Sequence, residues 1–233
     1  MASGMIIAIE GVDGTGKHTQ SKLLVESLCS HGFDAKLISF PDYDGSVLGP
    51  TIKKMLGGVF GELKQVHPTF SSSLFALERF EKRLEVLQGL SNNTIFVCDR
   101  YVYSNAAHQA CRLAPSERAE FIEWLERLEF GILGMPRPDV TILLDMPDQA
   151  SHNLRDIRAK TSRLGSTPDQ HEQDEAGLIV ARGIYLTLAN RLDWDVVDCA
   201  KERGVKSVAV LADEILTKII KRITINDSRR DSR

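Results

Sequence analysis

The four cysteines, Cys29, Cys98, Cys111 and Cys199, are far apart and form no CxxC pair. This argues against a zinc site or a disulfide framework and fits reduced thiols in a cytoplasm. A long apolar run is also missing: Met5 to Ile9 is too short for a signal segment or a membrane span and meets Glu10 at once. Neither charge dominates, because 29 basic residues against 32 acidic ones leave a formal net charge of -3. A nucleic acid therefore finds no general attraction. There is no internal repeat and no interdomain linker.

What is present is a globular composition, 42% hydrophobic and 26% charged over 233 residues, read as one domain spanning residues 1–233. Short β-branched runs at Met5 to Ile9, Ala35 to Phe40, Thr94 to Cys98, Val140 to Leu144 and Asp195 to Val197 alternate with helical patterns. Their continuous apolar character predicts parallel strands covered on both faces. The expected fold is α/β, a three-layer arrangement of a five-stranded parallel sheet flanked by helices.

A long helix is predicted from about Thr69 to Gln88, with Phe70, Leu74, Leu77 and Leu84 as its main stripe, and another starting at Pro115. Residues 155–174 are polar, charged and nearly free of large apolar side chains, which predicts a flexible lid. The last helix is expected over Val205 to Ile223, followed by a disordered tail at 226–233.

Directly after the first strand stand Gly11, Val12, Asp13, Gly14, Thr15, Gly16, Lys17, His18 and Thr19, and a helical stripe follows. Glycines let consecutive N–H groups turn toward phosphate oxygens, the helix N-terminus adds positive potential, and Lys17 can reach the outer phosphates. This is the P-loop pattern of nucleotide-binding proteins, with one departure: His18 occupies the place of the hydroxyl that binds Mg²⁺. Imidazole is a poor ligand for that hard cation. Thr19 lies about 100° further round the helix, so its hydroxyl does not replace the missing one. Mg²⁺ must rely on phosphates, water and carboxylates.

Three clusters point to a phosphate acceptor. Asp99 and Arg100 end a buried strand, where open α/β sheets bind ligands. Asp99 can order Mg²⁺ water, and Arg100 can clamp phosphate. Phe75 and Arg79 share a face of the long helix, where a ring can stack on a base and a guanidinium can donate to its carbonyls. Ser104, Asn105 and His108 lie on one side of the next helix, and an amide can read a base edge.

With these residues assembled, the chain resembles thymidylate kinases. The matching blocks are GVDGTGK, Phe40-Pro-Asp-Tyr43, LFALERF, DRYVYSNAAHQ and RLEFGILGMPRPD, in order between Gly11 and Asp139. The resemblance implies transfer of the γ-phosphate of ATP to dTMP with Mg²⁺, by a homodimer using the long apolar helices. It implies that Phe75 stacks on thymine, Arg79 bonds its carbonyl, Asn105 lies at the base edge, and Arg100 with Tyr43 and Phe40 frames the acceptor. Asp13 would position Mg²⁺ or the sugar, and Asp169 and Glu172 resemble the carboxylates near metal and sugar at the end of the family's lid. Asp42 stands where the family often has Arg, and His108 where it has an aromatic. Asp42 together with His18 leaves a catalytically silent nucleotide-binding module as an alternative, and His108 leaves another pyrimidine acceptor such as dUMP; a GTPase lacks its guanine-reading motif here. The P-loop carries no arginine, so the lid, with Arg155, Arg158, Lys160 and Arg163, must supply the catalytic one; Arg158 or Arg163 is preferred.

Overall fold

The computed structural model describes residues 4–147, 174–201 and 204–230. Five strands, β1 (Met5–Glu10), β2 (Ala35–Ser39), β3 (Ile95–Asp99), β4 (Val140–Asp145) and β5 (Asp195–Asp198), form one sheet in the order β2-β3-β1-β4-β5. All its pairings are parallel. Helices α1 (Lys17–Ser30), α2 (Gly49–Leu56), α3 (Pro68–Glu81), α4 (Arg83–Ser91), α5 (Val102–Ala110), α6 (Arg118–Glu126), α7 (Glu175–Arg191) and α8 (Val208–Arg230) connect and flank it. A short hairpin, β6 (Ala200–Lys201) with β7 (Gly204–Val205), follows the last long strand.

Every residue of β1 is buried, because alternate side chains feed two different cores. Ile7 and Ile9 pack with Leu24 and Leu28 of α1 and with Leu211, Ile215 and Ile219 of α8. Ile6 and Ala8 pack on the opposite face with Val86, Phe96, Tyr101 and Val102. The register sets Ile9 level with Asp99. The loops leaving β1 and β3 therefore emerge side by side, and this positions the site.

The long helix predicted over Thr69 to Gln88 is two helices joined at Lys82. Three of the four residues of its expected apolar stripe face outward, with Phe70 75%, Leu77 46% and Leu84 68% exposed, while Leu74 is partly buried against the Phe75 cluster. The buried face of α3 instead carries Ser71, Ser72, Phe75, Ala76, Glu78 and Arg79. Several of these side chains bond other elements, Ser71 to Gln109, Glu78 to the Asp42 N–H and Arg79 to Glu129, and periodicity of apolar residues does not register such bonds. Three boundaries also move, one of them the start of the last helix, which lies at Val208 because Val205 belongs to β7. Helix α6 begins at Arg118 rather than Pro115, and α8 runs from Val208 through Arg230, into the stretch expected as a disordered tail. No Gly or Pro follows Ile223 to stop the helix.

Two glycines separate propensity from packing. A Cβ on Gly89, inside α4, would lie 2.4 Å from the buried ring of Phe96, whereas one on Gly183, inside α7, would meet nothing within 4 Å. Alanine gains about 0.5–1 kcal/mol of helix propensity at either position. At 89, overpacking costing about 1–3 kcal/mol outweighs that gain. Urea unfolding should show Gly89→Ala less stable than the parent and Gly183→Ala more stable. Equal shifts would contradict this packing.

Candidate active site

The loop after β1 folds tightly because three glycines adopt positive φ: Gly11 at 147°, Gly14 at 87° and Gly16 at 83°. A Cβ on Gly11 would come within 2.7 Å of the Leu144 carbonyl oxygen, so the close approach to β4 requires glycine. Thr15 Oγ1 donates to the Val12 carbonyl (3.0 Å), and Lys17 Nζ folds back onto the same oxygen (2.8 Å). Gly16 caps α1 without a side-chain acceptor, so the first N–H groups of α1 have no side chain to satisfy them. A glycine-lined concavity with a buried ammonium is suited to a polyanion.

Burial and the charge of Arg100 together lower the Lys17 pKa to about 8, with Asp13, Asp99 and Glu10 opposing. Arg100 itself sits at φ 68°, a left-handed conformation that non-glycine residues rarely adopt outside constrained sites. Its backbone N–H donates to the Ile9 carbonyl (3.1 Å), tying the turn to β1. The guanidinium pairs through Nη2 with Asp13 Oδ1. Its Nη1 reaches His108 Nε2 at 3.2 Å and Ser104 Oγ at 3.4 Å. Because guanidinium only donates, His108 accepts on Nε2. Burial works against the Arg100 charge, but Asp13, Tyr185, Asp99 and Glu10 outweigh it and raise the pKa.

Glu10, which the sequence reading did not single out, organises this region. It is fully buried and accepts the backbone N–H of Tyr101 (3.0 Å) and of Ser104 (3.2 Å), the Ser104 hydroxyl and the Tyr185 hydroxyl (3.3 Å). Burial raises its pKa, against the hydrogen bonds and the nearby cations. The carboxylate thereby holds the start of α5, which carries Ser104, Asn105 and His108. A carboxylate closing an apolar strand just before the glycines was the available signal.

Asp99 Oδ2 lies 2.9 Å from Nδ1 of His18, whose side chain is 59% exposed, and Thr19 points to solvent. Asp42, where a second cation was missing, instead pairs with Lys82 (3.4 Å) and receives a hydrogen bond at Oδ1 from the Gly45 N–H (2.9 Å).

At the other end, Phe75 is buried beside Ile52, Met55, Leu56 and Leu63, with Tyr43 packed against them. Arg79 is buried and turned onto Glu129. Its Nε lies 3.1 Å from both carboxylate oxygens, and Nη2 also bonds Oε1. What Arg79 can offer a base is therefore limited to its Nη1 hydrogens and the second Nη2 hydrogen. Phe40 is a buried wall rather than an open contact, with its ring 5.9 Å from that of Tyr101 and the Arg79 guanidinium 5.9 Å from its centroid. Glu129 lies in the π-helical turn Arg127–Ile132, inside the RLEF block whose role the sequence did not disclose. Asn105 Nδ2 donates to the Ser72 carbonyl (3.0 Å), while its buried Oδ1 has no partner. An orphaned buried acceptor between α3 and α5 fits a ligand that donates.

Asp169, Glu172, Arg155, Arg158, Lys160 and Arg163 lie outside the described residues. Among the described residues, no cluster of three or more His, Cys, Asp or Glu side chains could hold a metal, and no helix is long and apolar enough to cross a membrane.

Residues 9–208 match the family model "Thymidylate kinase". The chain is 34% identical over 186 residues to the thymidylate kinase of Mycobacterium tuberculosis strain H37Rv, covering 79% of this chain and 86% of the relative. It is 29% identical over 219 residues to that of Homo sapiens, covering 91% and 92%. In fold it is similar to the solved thymidylate kinase of Candida albicans, with TM-score 0.68 and 23% identity over 97% of this chain and 94% of the other. The glycine-lined loop, the paired strand ends and these matches together lead to one statement: the chain belongs to the thymidylate kinase family.

Proposed function

We propose that this protein is a thymidylate kinase that transfers the γ-phosphate of ATP to the 5′-phosphate of dTMP, giving dTDP and ADP. The observation that carries the choice of acceptor is the unpartnered Asn105 Oδ1, on the same α3/α5 wall as Arg79. A thymine or uracil ring presents an N3–H to that acceptor and a C4 carbonyl to an Arg79 N–H that Glu129 leaves unused. Cytosine presents a bare N3 and an amino group. In this reading Phe75 stacks on the ring, and Tyr43, Ser104 and His108 surround the acceptor's sugar and phosphate.

The acceptor phosphate, with a second pKa near 6, is already a nucleophile at neutral pH, so no general base is needed. Catalysis is positioning and charge neutralisation. Arg100 orients the acceptor phosphate, Lys17 and the glycine loop hold the donor phosphates, and the Asp13–Arg100 pair keeps the guanidinium aimed between them. Arg158 or Arg163 would complete the cationic surround.

Mg²⁺ fits the donors present, because it is ordinarily held by one or two carboxylates together with substrate phosphates. Asp99 and Asp13 are two such carboxylates beside Lys17, and Glu172 is the sequence-based third. Asp13 and Asp99 would hold the ion on the donor side of the cleft, where it would supply positive charge to offset that of the phosphates. His18, an exposed imidazole on Asp99, orients that carboxylate rather than ligating the ion.

The exposed Phe70, Leu77, Phe80 and Leu84 of α3 and α4 form an apolar surface of the kind that marks an interface, and a homodimer would cover it. All four cysteines are unpaired, with Cys29 exposed, which suits a reducing cytoplasm.

Two measurements check this reading. Coupled ADP release should show acceptor-dependent turnover, with kcat/KM highest on dTMP, lower on dUMP and UMP, and lower again on dCMP by a factor on the order of 10³ or more. ATP hydrolysis indifferent to acceptor would favour a silent module, and a dCMP preference would overturn the Asn105 argument. In sedimentation equilibrium the protein should run at twice its 25.9 kDa chain mass, and Leu84→Asp should shift it toward monomer. A monomeric parent would remove the α3/α4 interface.

A further inference from the structure

Phosphate chemistry does not account for Arg112. This partly buried arginine follows α5, and its Nη1 donates to Gln109 Oε1 (2.5 Å) and Ser71 Oγ (3.1 Å). Its Nη2 donates to the carbonyl oxygens of Leu63 and Val66. Ser71 Oγ donates in turn to Gln109 Oε1 (2.7 Å). One guanidinium thus joins the end of α5, the first turn of α3 and the connector between α2 and α3.

All four acceptors are neutral oxygens. Burying a cation without bonding it to a carboxylate is costly, and burial indeed lowers the Arg112 pKa. An apolar residue would cover the same surface without that cost but could not grip two connector carbonyls at once. The connector's 3₁₀ turn (Leu63–Gln65) carries Leu63, which is buried in the same apolar cluster as Phe75, Ile52, Met55 and Leu56. The grip therefore reaches the apolar cluster that holds Phe75 through Leu63, one of its members.

We propose that Arg112 is a positioning residue for base recognition: by fixing the Leu63 and Val66 carbonyls it keeps Leu63 seated against the Phe75 cluster and so sets the ring on which the acceptor base stacks. This rests on the reading of Phe75 as the stacking surface. The partners of Arg112 are Ser71, Gln109, Leu63 and Val66, none of them in the Lys17–Arg100 region, so its removal affects the acceptor's base and leaves the donor side alone. A platform displaced by a fraction of an ångström loses binding without losing chemistry.

The test is steady-state kinetics on Arg112→Ala, Leu63→Ala, the double variant and Phe75→Ala, each confirmed folded by circular dichroism. Arg112→Ala should raise the dTMP KM about tenfold, with kcat and the ATP KM changed less than about twofold. The double variant should be no worse than the poorer single variant, because both act through one path. If Arg112→Ala fails to fold, Arg112→Lys, which keeps the charge but loses the two-carbonyl grip, should shift the dTMP KM in the same direction by less. An unchanged dTMP KM in Arg112→Ala alongside a raised one in Phe75→Ala overturns the proposal and leaves the stacking reading intact. An unchanged KM in Phe75→Ala removes the stacking reading itself and the proposal with it. Equal loss in kcat and both KM values, or strictly additive effects in the double variant, reduces Arg112 to general structural support and also overturns the proposal.

Discussion

The arrangement depends on holding two desolvated cations, Lys17 and Arg100, close to each other before any phosphate arrives. They repel, and part of that repulsion appears as the lowered Lys17 pKa. Asp13 pairs with Arg100, and Glu10, buried behind both, fixes the start of α5 while adding a negative charge. The sheet makes this possible: parallel neighbours β1 and β3 end level with one another, and the left-handed Arg100 turn is hydrogen-bonded back to Ile9. A phosphate entering between the cations finds its counter-charges already oriented, which is what electrostatic preorganisation requires.

Helix α3 is built with its chemistry inside and much of its grease outside. Its inward face places Ser72, Phe75 and Arg79 toward α5 and the Glu129 turn, and Glu78 receives the Asp42 N–H at 2.8 Å. One turn on, Glu81 receives the N–H groups of Val47 (2.7 Å) and Leu48 (2.9 Å) just before α2. The same helix therefore holds the base wall and the loop that carries Tyr43. The buried Arg79–Glu129 pair limits the donors Arg79 can present, and a restricted donor set is a means of telling a carbonyl from an amine.

All five long strands were legible to within a residue or so, most plainly the central β1, β3 and β4, whose burial on both faces shows as continuous apolar runs. The glycine loop was legible for a different reason, since close approach and positive φ leave glycine as the ordinary choice. The α3 stripe was misread because periodicity counts apolar residues, whereas the buried face here is occupied by paired polar groups. The joint at Lys82 carries no Gly or Pro to announce it. Glu10, Glu129 and Arg112 act through partners distant in sequence, and single carboxylates or guanidinium groups without a motif do not reveal such pairings.

Lys17 is a buried cation under repulsion from Arg100, and nucleotide phosphate relieves it. A lysine ordinarily near 10.5 titrates here near 8, so below that pH the folded protein carries a buried charge that the unfolded chain would keep in water. Stability of the free protein accordingly rises as pH climbs from about 8 toward 10.5. Donor phosphates restore the favourable environment and pull the pKa back up. Isothermal titration calorimetry of ATP binding at pH about 8.5, in two buffers of different ionisation enthalpy, measures this. Net proton uptake that disappears in Lys17→Met is the predicted result. Binding enthalpies that do not depend on the buffer would contradict the account.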